Sequence, residues 1–252
     1  MIRALALLLM LATPLSAQEE VVLGMSQDNV RITADFDGSD LLIFGAVKRE
    51  SPIIDPELEV IVTLAGPETP VTLHLKARRA GIWVNAETVR IAAAPSFYAV
   101  SSTGPLNQIL RRTEDLRHSI TIPRAIRSVG AASMTENPSD YVDALIRIRT
   151  GEQVYQDLES NVQLDQQTLF RTRIALPSNL TEGSYDTRVF LLREGHVVSR
   201  FDTTIEVRKV GLERWLYTMS QENPPIYGIL SLSIAILAGW AASTLFRLIR
   251  SG

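Results

Sequence analysis

The stretch VRITADFDGSDLLIFGAV, residues 30–47, decides the fold class. Val30, Ile32, Ala34 and Phe36 alternate with Arg31, Thr33, Asp35 and Asp37, and after Asp37-Gly38-Ser39-Asp40 an apolar run resumes from Leu41 to Val47. Successive side chains of an extended strand point to opposite faces, so this alternation predicts two half-buried strands, joined as a β-hairpin at residues 37–40.

The same period continues outward. Leu58 to Leu64 and Val71 to Leu75 flank Gly66-Pro67 and read as a second pair, with further short strands at Ile82 to Val84 and Thr88 to Ile91. Strands return at Leu169 to Leu176 and Tyr185 to Leu192; then Arg193-Glu194-Gly195-His196 turns the chain into Val197 to Val207. Short strands at this spacing, punctuated by Gly and Pro, predict a mostly β fold of immunoglobulin-like sandwich type, as one sandwich or two. Between them lies a helical excursion. Leu106, Ile109, Leu110 and Leu116 recur at near-helical spacing from Pro105 to His118, and Ser139 can cap a helix whose face carries Val142, Leu145 and Ile148.

Both ends depart from this pattern. Met1 to Ala17 has one cation, a short apolar run from Ala4 to Ala12 and a small residue at Ala17, which predicts a secretory signal peptide cut after Ala17. Asn223 to Phe246 carries no charge, and the apolar stretch Ile226 to Phe246 makes roughly 32 Å of helix at 1.5 Å per residue, enough for one bilayer crossing. Arg247 and Arg250 follow it, so the positive-inside bias holds the tail in the cytoplasm and puts the preceding region outside. Leu212, Trp215, Leu216 and Met219 form an apolar helical face just before the span, read as an interfacial helix. The expected organisation is signal peptide 1–17, first β portion 18–103, helical excursion 104–160, second β portion 161–209, juxtamembrane segment 210–225, span 226–246 and tail 247–252, with the break between two β portions inside the excursion.

Residues 18–225 hold all 28 acids and 22 of the 25 cations, a formal charge of 22 minus 28, or −6. That balance leaves no basic footprint for nucleic acid. The absence of Cys rules out a disulfide scaffold, so the core must hold the fold alone. His74, His118 and His196 fall in a strand, a helix end and a turn, and no zinc-binding helical pair is read among them; no metal or cofactor is expected. Nucleophile-elbow, Walker and dinucleotide signatures are absent from the sequence, and carboxylate neighbours such as Glu114 and Asp115 read as solvated, so no enzyme is expected.

Two features stand out as candidate interaction residues. Trp83, between Arg78-Arg79-Ala80-Gly81 and Asn85, reads either as a recognition aromatic beside cations or as a core strand Trp; Phe97 and Tyr98 lie where a strand leaves for a helix, a position at which loops carry function. In the span, Ser231, Ala235, Gly239 and Ser243 recur every four residues and form a stripe of small side chains that lets a second backbone approach.

The motifs GIWVN (81–85), PSFYA (95–99), LP (176–177) with GSY (183–185), FLLREG (190–195), and YG (227–228) with GW (239–240) resemble an alphaproteobacterial transmembrane protein family of unknown function. The resemblance implies a signal peptide, a β-rich periplasmic region, one C-terminal span and no catalytic residues, and it extends to association with an anion- or sulfite-exporter type permease. The expected protein is a single-pass component of a bacterial inner membrane with a periplasmic ectodomain. Its expected role is that of an interaction or accessory protein whose partners are the bilayer and a permease or a second copy of the span. The alternative is a tethered ligand-binding or adhesion module.

Overall fold

A computed structural model describes residues 20–27, 29–33, 36–49, 56–126, 138–209 and 212–250, so the signal-peptide reading of residues 1–17 falls outside the described residues. The chain divides into two compact units, one holding residues 37–207 with the N-terminal residues up to 30, the other residues 31–36 and 208–252.

The first unit is mostly β. Its strands are β1 (Glu20–Met25), β3 (Gly38–Lys48), β4 (Glu59–Ala65), β5 (Glu68–Arg79), β6 (Ile82–Pro95), β7 (Tyr98–Ser102), β8 (Tyr155–Leu158), β9 (Gln163–Asp165), β10 (Leu169–Pro177), β11 (Gly183–Arg193) and β12 (His196–Lys209), with β2 (Asn29–Ile32) at the boundary. One sheet has the order β1-β3-β10-β9, a second the order β2-β12-β11-β4-β7-β8, and β5 pairs with β6 alone. Residues 18–103 and 161–209 therefore share both large sheets: β3 lies on β10, and β4 on β11.

The expected hairpin at residues 37–40 does not form. Both edges of β3 are taken, by β1 from Glu20↔Lys48 and by β10 from Leu169↔Ala46 to Pro177↔Gly38, while β2 belongs to the other sheet. Each strand still has a buried face: Val30 and Ile32 on β2, as their alternation predicts, and Leu41, Ile43 and Val47 on β3, where Phe44 points out at 44% exposure. Phe170 faces the same core from β10, and its register partner Gly45 is Gly because a Cβ there would sit 2.5 Å from the Phe170 ring. The buried faces of the two sheets meet at Ser101 on β7 and Thr172 on β10, whose hydroxyls are 2.6 Å apart.

A small helical insertion covers the opposite face of the six-stranded sheet. The single helix expected over 105–118 is two, α1 (Leu106–Ile109) and α2 (Arg112–His118), because Leu110 and Arg111 are extended; α3 (Ile122–Ala125) follows. In α2 the buried residue is Glu114, and Leu116 is exposed at 58%. The fourth helix, α4 (Pro138–Gly151), starts at Pro138, so Ser139 lies within its first turn; Tyr141 and Leu145 are its buried side chains, and Ile148 is exposed. The insertion ends in β8, a strand inside the expected excursion, which runs parallel to β7. Tyr98 ties the layers: its hydroxyl donates to the Ile120 carbonyl at 2.7 Å, and burial pushes its pKa up to about 12, so the donor proton stays in place.

In the second unit, α5 (Leu212–Glu222) covers the expected juxtamembrane helix and α6 (Pro224–Arg250) carries the span. Pro224 and Pro225 begin α6, where their missing amides cost nothing. Pro224–Ser243 is 20 residues long, none of it buried, and long and apolar enough to cross a membrane. The hydroxyls of Ser231 and Ser233 donate to the Gly228 and Ile229 carbonyls, which keeps them satisfied in an apolar solvent.

Candidate functional site

The most distinctive feature is an arm. Gly66 donates to the Phe97 carbonyl and Ser96 to the Pro67 carbonyl, so the ladder between β4 and β7 runs on through residues 66–67 and 96–97 into the ladder between β5 and β6. Gly66-Pro67, expected as a hairpin turn, is thus a joint along a continuing ladder, and β4 does not pair with β5. The expected short strands at 82–84 and 88–91 are one 14-residue strand. Register shifts at Thr69/Val71 and Leu75/Lys76 each put an extra residue on β6, and the second, at Ala86, breaks the alternation that a sequence reading relies on.

One face of the arm is mainly apolar, since paired residues share a face: Leu73 with Val89, Leu75 with Glu87, Ala77 with Val84, then Arg79 with Ile82. Near the base this face is covered by α4, where Tyr141, Val89 and Leu73 pack together. Further out the cover stops. Leu75 is 52% exposed, Ile82 65% and Trp83 68%. Ala80 and Gly81 make the tip with φ of 49° and 87°, the two successive left-handed residues of a tight hairpin turn. Trp83 lies opposite Arg78, on the face away from Ile82. Lys76, Arg78 and Arg79 have no carboxylate partner among the described residues.

A second cluster surrounds Glu114, which is 5% exposed. Its carboxylate lies 3.2 Å from Arg117 Nη1, 3.5 Å from His118 Nε2 and 3.8 Å from His196 Nδ1. Arg111 donates to His196 Nε2, which leaves the proton on Nδ1, facing Glu114. The reading that found no helical partner for a histidine passed over Glu114, four residues before His118. The cluster fastens α2 to the β11–β12 turn, and no group of three or more His, Cys, Asp or Glu that could hold a metal occurs among the described residues. Beside it, Arg188 donates to Thr63, to the Tyr98 hydroxyl and to the carbonyls of His118 and Ser119, binding β11 and β4 to the insertion. A cleft of about 430 Å³ lies over these groups, lined by Tyr98, His118, Arg124, Arg188 and Arg200 among others. Its cations are engaged: Arg200 by Asp202 at 2.8 Å and Arg124 by Asp115 at 3.9 Å.

Among the expected interaction residues, Trp83 is at the arm's tip, whereas Phe97 and Tyr98 are 0% and 1% exposed and face the interior. Ser231, Ala235, Gly239 and Ser243 lie on α6, and a Cβ at Gly239 would meet nothing within 4 Å. Nothing in the sequence could show that the β5–β6 ladder outruns the sheet, because exposure there follows from missing neighbours.

No curated protein matches the chain. Among solved structures, the crystal structure of BslA, a bacterial hydrophobin, is similar at 10% identity over 77% of this chain and 96% of that one, with a TM-score of 0.23, too low to argue a shared fold. Residues 20–248, which take in the β-rich unit, the arm and nearly all of α6, match the family described as "Putative transmembrane protein (Alph_Pro_TM)", and the chain belongs to that family.

Proposed function

We propose that this membrane-anchored protein is a non-enzymatic interaction or accessory component of a bacterial inner membrane, with its β-rich region in the periplasm and its C-terminus in the cytoplasm. The observation that carries this reading is α6, in which an uncharged 20-residue stretch with no buried residue, Pro224–Ser243, is followed by Arg247 and Arg250. The two large sheets, mainly antiparallel and sharing a buried face, support an immunoglobulin-like class for that unit.

In lipid no hydrophobic force drives helices together, so association rests on close backbone approach, which the stripe Ser231, Ala235, Gly239 and Ser243 permits. The partner on that stripe is a membrane protein or a second copy of the span; the family resemblance extends this to a permease of the anion- or sulfite-exporter type. Purification in mild detergent tests it. A membrane partner should co-purify with the native chain, be lost when α6 is replaced by an unrelated span, and be weakened by Gly239→Leu, which leaves insertion intact because Leu is favourable in the bilayer. Retention of the partner after both changes would favour the alternative, a tethered ligand-binding or adhesion module acting through its β-rich unit.

A further inference from the structure

The arm springs from a particular end of the β-rich unit. Val207 near the end of β12 pairs with Gly183 at the start of β11, and Asp186 pairs with Ala65 at the end of β4, just before the joint at residues 66–67. A Cβ on Gly183 would lie 2.9 Å from the Pro67 ring, so the arm's base stands beside Gly183 and its register partner Val207. From that base the strands run 11 or more residues, about 35–40 Å at 3.3 Å per residue.

The outer arm also has an unusual charge. Residues 18–225 are acidic overall, yet no Asp or Glu occurs between Glu68 and Glu87, while Lys76, Arg78 and Arg79 do. Exposed Trp and Ile beside unpaired cations match a phospholipid interface: the indole prefers the headgroup level, the aliphatic side chain prefers the acyl boundary, and cations are drawn to lipid phosphates. A turn of two small residues, Ala80 and Gly81, lets both faces of the tip approach a surface.

We propose that the tip of the β5–β6 arm is a second membrane contact, at which Ile82 and Trp83 seat in the headgroup region of an anionic phospholipid leaflet while Lys76, Arg78 and Arg79 engage its phosphates. The contact goes beyond the anchoring by α6. It leaves the span as the anchor and adds a lipid contact made by the β-rich unit itself.

The chain has no Cys, so a single introduced thiol gives a unique label. The full chain carrying Ala80→Cys, Glu194→Cys or Ile234→Cys, each nitroxide-labelled, is reconstituted in phosphatidylethanolamine–phosphatidylglycerol bilayers. The ratio of oxygen to nickel-chelate accessibility is then read by electron paramagnetic resonance. Ile234 reports whether the span is inserted, and Glu194, on the turn at the opposite end of β11 and β12, reports bulk water. The label at residue 80 should show an oxygen-to-nickel ratio several-fold above that at residue 194, and Trp83→Ser with Ile82→Ser should bring it back to the aqueous value. An aqueous ratio at residue 80 with a hydrocarbon ratio at residue 234 overturns the contact and leaves the anchoring intact. An aqueous ratio at residue 234 fails the anchoring instead. A label at residue 80 that is aqueous in pure lipid but immobilised in native membranes overturns the lipid assignment in favour of a protein partner.

Discussion

The inner and outer halves of the long ladder from β4–β7 to β5–β6 share one pattern of backbone pairing and live in opposite surroundings. In the inner half Ile61, Val62, Leu64, Ala99 and Val100 are 0–1% exposed, because β11 and β8 flank the pair, the smaller sheet covers one face and the helical insertion the other. In the outer half no strand flanks the pair among the described residues, and α4 covers one face near the base. Residues as apolar as Ile82 and Trp83 are therefore exposed. The difference teaches that neighbours, more than the strand's own composition, decide whether an apolar side chain is core or surface.

The largest effect should come from placing the same substitution in each half. Ile61→Ala, at 0% exposure, should cost about 2–5 kcal/mol, whereas Ile82→Ala, at 65%, should stay within about 0.5 kcal/mol. Urea unfolding of both full-length variants in one detergent measures the pair. Equal costs would break the comparison.

Next in size is the side chain that locks the inner half to its cover. Arg188→Ala removes donors from Thr63, Tyr98 and the carbonyls of His118 and Ser119, leaving acceptors beside the buried Tyr98 unpaired. The expected loss is about 2–3 kcal/mol in the same assay. Arg78→Ala, on the arm, should be neutral there.

Leu169 to Leu176, Tyr185 to Leu192 and Val197 to Val207 were readable because each has one wet and one dry face or a tight turn at its end: the turn expected at Arg193 to His196 forms, with positive φ at Glu194 and Gly195. Val30 and Ile32 are buried as their alternation predicts, but the pairing of residues 30–47 was read wrongly, since period two fixes orientation and says nothing about which edge finds which partner. β8 and β9 were too short to show a period, and the bulge at Ala86 split one long strand into two apparent ones. In the candidate sites the arm's charge and its Trp were visible. Its projection was not, and Glu114 was read as solvated because burial of a carboxylate depends on Arg117, His118 and His196 arriving from elsewhere in the fold.

A smaller effect belongs to pH, on the inner side of the comparison. Burial lowers the pKa of His118 below its ordinary 6.5, with the Glu114 carboxylate opposing and the Arg200 guanidinium assisting. The unfolded chain then takes the proton at a higher pH than the folded one. Stability is full above pH 6.5 and is lost as pH falls from 6.5 through the folded value. Melting temperatures from pH 7.5 to 5 should fall in that window for the native chain, and His118→Gln should flatten that part of the slope; an unchanged slope would remove His118 as its source.

The smallest and most local effect concerns the tip. Gly81 has φ of +87°, a conformation that costs an L side chain roughly 1–2 kcal/mol, while a Cβ there would meet nothing within 4 Å. Gly81→Ala therefore penalises the backbone alone, with no clash to spread the strain. If the outer half is coupled to the body only through its own ladder, the penalty should appear as local opening. Amides from Lys76 to Val84 should exchange with solvent about five- to thirtyfold faster, at 1.4 kcal/mol per tenfold, while the global melting temperature stays within error. The inner half, whose strands are flanked on both sides, should keep its protection unchanged. A fall in the global melting temperature of several degrees would mean that the arm folds as one unit with the sheet, and that the boundary at Gly66-Pro67 and Ser96-Phe97 marks a change of surroundings without a change of cooperativity.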